Sequence, residues 1–171
     1  MKCYGLSDKG LTRNDNQDSY VIATSECGDI LAVVCDGIGG AKAGDIASNM
    51  TVDYFFKEFS EHTGFVDNND VAKWVTYHLN KCNEKIYALA SRNPDYKGMG
   101  TTFAAVLLTR IGKFIINVGD SRVYGLNYDN VFKQISVDHS LVNDMLKNNE
   151  ITLEQAKNHP QRNVLTNALG V

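Results

Sequence analysis

Between residues 101 and 135 four β-rich runs follow one another: "TTFAAVLLT" (101–109), "KFIINVG" (113–119), "RVYGL" (122–126) and "VFKQI" (131–135). The connections "RIG" and "NYDN" are hairpin-sized and too short to hold a helix. Parallel neighbours need a crossover of a dozen residues or more, so this block predicts an antiparallel meander. Earlier in the chain, "YVIA" (20–23) and "ILAVVC" (30–35) flank a polar, glycine-containing turn and predict a hairpin. From Ala43 the apolar period changes, and Ile46, Met50, Tyr54, Phe55 and Phe59 fall on one side of a helix. A second helix carries Val71, Trp74, Val75, His78, Leu79, Cys82 and Ile86 at helical spacing. "SRNPDYKGMG" (91–100) then breaks the chain, and the tail "HSLVNDMLKNNEITLEQAKNHPQ" reads as helical and polar. Strands, two helices and more strands, without βαβ alternation, predict an α+β fold with helices covering antiparallel sheet.

Composition narrows the function classes. With 171 residues, 43% hydrophobic and 22% charged, the chain has the make-up of one globular domain rather than a disordered segment. A formal charge of -3 gives no basic excess to draw nucleic acid or an anionic membrane. "MKCYGLSDKG" has no apolar leader core, and the apolar runs are strand-sized, which argues against secretion and membrane spanning. Cys3, Cys27, Cys35 and Cys82 form no CxxC pair and read as isolated, reduced thiols.

Four polar clusters fall at predicted strand ends or turns: "TRNDNQDS" (12–19), "DGIGG" (36–40), "GMGTT" (98–102) and "VGDSR" (118–122). A folded sheet can bring them to one edge and gather Asp18, Asp36 and Asp120 there. Carboxylate and carbonyl oxygens suit hard cations such as Mg²⁺ and Mn²⁺, and no His pair or Cys cluster offers a zinc-like alternative. Gly37 leaves the carbonyl beside Asp36 room to turn toward a metal. Arg13 carries a planar fork that can hold two phosphate oxygens. Each piece also has a plainer reading. An Asp-Gly after a strand is ordinarily a turn, "GDSR" can be a tight turn, a single arginine is commonly a solvated charge, and His139 beside Ser140 can be structural. "GIGGAKAG" lacks both GxxxxGK[ST] and GxGxxG, and "DNND" lacks the EF-hand ligand pattern.

Taken in order, "GLTRNDNQDSY", "VVCDGIGGAKAGDIAS", "GMGTTFAAVLL", "INVGDSRVYGL", "ISVDHSLV" and "NVLTNALG" closely resemble the metal-dependent protein phosphatases, type 2C, in their bacterial form. The resemblance spans almost the whole chain. It implies a four-layer α-β-β-α sandwich of two antiparallel sheets flanked by helices, present as one domain over residues 1–171 and incomplete at its C-terminus. It also implies hydrolysis of phosphoserine and phosphothreonine in proteins by a metal-activated water, with no covalent phospho-enzyme. The implied cofactors are two Mn²⁺ or Mg²⁺ ions and a third, weaker site. By position, Asp36 resembles the carboxylate bridging both metals, Gly37 supplies a carbonyl, Asp18 holds metal-bound water, and Asp120 matches the acid of the third metal. Arg13 resembles the phosphate-binding arginine, while Thr101 and Thr102 match a supporting "GTT" step. The implied partners are phosphorylated proteins in the cytoplasm, opposite a serine/threonine kinase, with no nucleic acid or membrane.

Two departures from the family pattern shape the expectations. Ile38 stands where animal and plant relatives have a histidine proposed as general acid, so no general acid is assigned. Two further metal-binding aspartates that follow "LTNALG" in the family have no counterpart before Val171. A sandwich without the strands that bear them leaves sheet edges and apolar faces open, so dimerisation or strand exchange is expected. A non-catalytic module that binds a phosphoprotein through Arg13 and the Asp36 edge is the competing function. A P-loop nucleotide binder fails for want of the lysine and the βαβ context.

Overall fold

The computed structural model describes residues 1–39 and 43–171; residues 40–42 of the glycine-rich stretch lie outside the described residues. Strands β1 (Asp18–Thr24) and β2 (Ile30–Ile38) form the expected hairpin, followed by helices α1 (Ala43–Ser60) and α2 (Asn68–Arg92). Then come β3 (Gly100–Thr101), β4 (Phe103–Leu108), β5 (Lys113–Val118), β6 (Tyr124–Leu126) and β7 (Phe132–Gln134), and two short helices, α3 (Leu141–Lys147) and α4 (Leu153–Lys157). All pairings are antiparallel. The main sheet runs β1-β2-β4-β5 with β3 also on β2, and β6 and β7 make a second sheet of two strands. The α+β class with two antiparallel sheets and helices is therefore what the chain forms.

Alternation along the strands decides which face is covered. In β4, Phe103, Ala105 and Leu107 are buried, and across the register they pair with Val118, Ile116 and Phe114, which pack on the same core. Leu31, Val33 and Cys35 of β2 join them. Phe55 and Phe59 of α1 and Ile86 of α2 close this face from above. Burying each such side chain stabilises by about 1.5–3 kcal/mol. The opposite face of the sheet carries Tyr20, Ile22, Ala32, Val34, Ala104 and Val106, and it borders a groove of about 710 Å³ rather than a helix layer.

The helices depart from the sequence reading in one informative way. Burial on α1 centres on Ala43, Gly44, Ala47, Ser48, Thr51, Phe55 and Phe59, so small residues let its first turns lie close to the sheet. Ile46, Met50 and Tyr54 sit beside that stripe, partly buried. On α2 the expected face holds: Val71, His78, Cys82 and Ile86 are buried. Asp67 caps this helix by accepting the Asp70 N–H at 2.8 Å. It ends at Arg92, before Asn93-Pro94, where the proline disfavours helical backbone.

The meander expectation is corrected. β4 and β5 pair, but β5 and β6 do not. The chain leaves β5 through Gly119, whose φ of +103° redirects it, and β6 then pairs with β7 alone. The tail is only partly helical. Thr152 starts α4 with a capping box to Gln155, and beyond Lys157 the chain returns to the main sheet. Isolated bridges join Ser140 to Leu165 and Thr101 to Leu169.

Candidate active site

The hairpin register sets Asp18 directly opposite Asp36, one at the start of β1 and the other near the end of β2. Asp36 is half-buried, while Asp18 and Arg13 are exposed. Asp36, Asp120 and Arg13 line one cleft of about 680 Å³, together with Ile38 and Thr102. Its far wall comes from the returning tail through Asn163, Leu165, Thr166 and Asn167. Burial pushes the Asp36 carboxyl up to about 6, the Asp18 charge and a hydrogen bond with Asp18 add to this, and Asp120 adds less. Arg13 acts in the opposite direction. Asp36 thus carries the raised pKa of a half-buried carboxyl with acidic neighbours, partly offset by one guanidinium.

Of the residues expected at one edge, Arg13, Asp36 and Asp120 share this cleft, while Asp18 stands opposite Asp36 in the register and lines the neighbouring groove. Gly37 is different. It is buried, and a Cβ at this position would meet the Gly44 carbonyl oxygen at 2.2 Å and the Gln17 oxygen at 2.8 Å. The glycine is required because the first turn of α1 and the chain before β1 press on β2 from both sides. Gly37 N–H donates to the Gln17 carbonyl at 3.0 Å. Among the described residues, no three His, Cys, Asp or Glu side chains form a ready-made metal site.

Residues 12–169 match the family model described as Protein phosphatase 2C. The chain is 36% identical over 165 residues to the serine/threonine phosphatase stp of Listeria welshimeri, covering 96% of this chain and 65% of that protein. It is 35% identical to the protein phosphatase PhpP of Streptococcus pneumoniae, again over 96% of this chain and 66% of the relative. The crystal structure of the serine/threonine phosphatase Stp1 from Staphylococcus aureus aligns with a TM-score of 0.88 at 36% identity, covering 96% of this chain and 64% of that one. The structure of the S. agalactiae serine/threonine phosphatase aligns at 0.90, also with 36% identity, over 97% of this chain and 67% of that one. The chain belongs to the protein phosphatase 2C family. It spans about 65% of the length of the Listeria relative it matches.

Within this 2C-family chain, Thr101 and Thr102 hold the backbone of Asp36. The Asp36 N–H donates to Thr102 Oγ1 at 2.8 Å, the Thr102 N–H donates to the Asp36 carbonyl at 2.9 Å, and Thr101 Oγ1 donates to that carbonyl at 3.0 Å. Both threonines are buried. The supporting role expected of the "GTT" step is what this geometry provides.

The turn bearing Asp120 is fixed just as closely. Gly119 N–H donates to His139 Nδ1 at 3.3 Å, and His139 N–H returns a bond to the Gly119 carbonyl at 2.9 Å. Arg122 reaches Asp138 through both Nε, at 2.8 Å, and Nη2, at 2.6 Å. Asp138 is buried and also accepts from Gln134 Nε2 at 2.8 Å. His139 therefore acts as an acceptor that secures the turn, the structural reading weighed for it above. The sequence reasoning missed two groups. Asn163, Thr166 and Asn167 line the cleft although "NVLTNALG" carried no assigned role, and Ser121 joins Thr102 at 2.7 Å.

Proposed function

We propose that this cleft hydrolyses phosphoserine and phosphothreonine esters in proteins, with a divalent cation, Mn²⁺ or Mg²⁺, as its cofactor. The observation that carries this reading is the convergence of Asp36, Asp120 and Arg13 on one cleft with Asp18 opposite Asp36. The oxygen donors fit a hard cation in type, and the burial of Asp36, with its acidic neighbours adding to it, raises its pKa in a way a bound cation would offset. Asp36 would hold two ions through its two oxygens, with the Gly37 carbonyl, Asp18 and Asp120 completing their surroundings. Cations bound there would polarise a phosphoryl oxygen and lower the pKa of a water. Arg13 would take the phosphate in its fork and fix its orientation, an exposed position that suits a ligand arriving from solvent. Ile38 lines the cleft and offers no proton, so no side chain is assigned as general acid.

The names of the relatives support protein phosphoesters as substrates. A serine/threonine kinase acting in the cytoplasm is the source of such substrates in this reading. No described helix is long and apolar enough to cross a membrane. A second reading, a phosphoprotein-binding module without turnover, is favoured by one observation: no described trio of acids is preassembled for a metal.

The deciding experiment is Mn²⁺-dependent hydrolysis of p-nitrophenyl phosphate and of a phosphothreonine peptide by the chain, beside Asp36→Asn and Arg13→Ala. Turnover that needs Mn²⁺, disappears in Asp36→Asn and loses roughly 10- to 100-fold in kcat/KM in Arg13→Ala is the expected result. Turnover that survives Asp36→Asn overturns the assignment. Phosphopeptide binding that depends on Arg13, without hydrolysis, selects the binding module.

A further inference from the structure

We infer that Ser121 is a positioning residue that couples the Asp120 turn to Asp36 through the hydroxyl of Thr102. The inference deepens the phosphatase reading and rests on it for its consequence, though not for its geometry. Thr102 Oγ1 stands between two partners: it accepts the Asp36 N–H at 2.8 Å and lies 2.7 Å from Ser121 Oγ. A hydroxyl that accepts from a backbone amide still has its own proton to place, and a second hydroxyl at 2.7 Å is a fitting partner. Asp36 and Ser121 are 85 positions apart, yet only one side-chain oxygen separates them. Ser121 in turn directly follows Asp120.

The Asp120 turn is also in steric contact with Thr102, the residue that bonds the Asp36 backbone. A Cβ at Gly119 would meet Thr102 Cγ2 at 2.6 Å, so the turn is seated against the Thr102 side chain with no room to spare. On its outer side the turn is anchored by His139 and by the Arg122–Asp138 pair. Thr102 is 1% exposed. Losing the Ser121 partner therefore leaves a buried hydroxyl less well satisfied. The backbone of Asp36 keeps its two carbonyl bonds without Ser121, so the coupling acts on the amide side. Hydroxyl chains of this kind polarise one another, and the Asp36 amide bond is strongest when Ser121 completes the chain. In the phosphatase reading, this link would help to fix the backbone of Asp36 relative to the turn that bears Asp120, and with it the fit of the two acids to a cation.

The test is backbone-amide hydrogen exchange by NMR on the metal-free chain, together with Mn²⁺ titration by electron paramagnetic resonance. Ser121→Ala is compared with wild type and with Ser121→Thr, which restores a hydroxyl. Exchange at the Asp36 amide rises about fivefold in Ser121→Ala, the effect of weakening one hydrogen bond. Amides of β4 and β5 stay as in wild type, the apparent Mn²⁺ dissociation constant rises several-fold, and Ser121→Thr returns both readings toward wild type. An Asp36 amide that exchanges at the wild-type rate in Ser121→Ala overturns the inference. If Ser121→Ala does not fold, Ser121→Cys, nearly isosteric and a weaker bonding partner, is read by the same criterion. A wild-type chain that binds no Mn²⁺ while its Asp36 amide still responds to Ser121→Ala upholds the coupling and counts against the metal-centre reading.

Discussion

Asp36 shows what a candidate catalytic group costs its own fold. Two other carboxylates crowd it, and burial raises its carboxyl to about 6. Removing the charge in Asp36→Asn, with EDTA present at pH 7.5, is expected to stabilise the chain by about 1 kcal/mol after allowing for the water that still reaches a half-buried group. Urea unfolding of the two proteins measures this, and a variant less stable than wild type refutes it. Arg13, Asp18, Asp36 and Asp120 were legible as candidates because each sits in a polar cluster at the end of an apolar run. Ser121 was not, since its partner Thr102 is 19 positions away and a serine in a turn carries no periodic signal. The value of Gly37 was legible as a need for space, but the space is taken by the backbone of Gly44 and Gln17.

The junction of α1 and α2 carries a titratable cluster of its own. His78 is buried on α2, its Nδ1 is 2.8 Å from Tyr54 Oη of α1, and its ring lies 4.3 Å from that of Trp74. Burial lowers its pKa below the ordinary 6.5, Glu58 at 3.9 Å opposes that shift, and His62 adds to it. A histidine held neutral in the fold binds its proton more readily when unfolded. Its contribution is therefore complete above about pH 6.5 and is lost as pH falls below that value. His78→Gln should cost more stability at pH 7.5 than at pH 5.5, because acid has already weakened the wild-type contact. Comparing the two proteins at each pH cancels the titration of Asp36 and the other groups they share. A gap that widens in acid contradicts the assignment. The helices themselves were legible from their apolar period, and α2 followed it closely. On α1 the stripe shifted toward Ala47, Ser48 and Thr51, because closeness to a sheet favours small side chains that a hydrophobic pattern passes over. The meander failed at Gly119 for a related reason: run lengths and loop lengths specify that strands turn back, but not which neighbour they meet.

At the scale of the whole chain, α1 and α2 pack on one face of the main sheet and the other face borders the groove. Tyr20 and Val34 stand 42% and 51% exposed on the uncovered face. Across the groove, Tyr124 stacks on Phe132 at 4.9 Å, both exposed. We propose that two copies associate through these surfaces, as expected from the sequence. Size-exclusion chromatography with light scattering should give twice the 18.9 kDa monomer mass at tens of micromolar, and Val34→Asp should return the monomer. A clean monomer in wild type at that concentration refutes the proposal. The α+β class and the two antiparallel sheets were readable from short connections and apolar runs; the far wall of the cleft was not, because it is made by a tail that crosses back over the molecule.

That return has a consequence for the order of events during synthesis. Thr101, which bonds the Asp36 carbonyl, exchanges two backbone hydrogen bonds with Leu169, at 3.0 and 2.9 Å. A ribosome adding residues one by one delivers Asp36 and Thr101 well before Leu169 leaves the exit tunnel. Through that interval the sheet and helices can gather, while the acids face a half-built cleft whose opposite wall has yet to arrive. The pairing thus ties the wall of the cleft opposite Asp36 to a segment made more than sixty residues after Thr101.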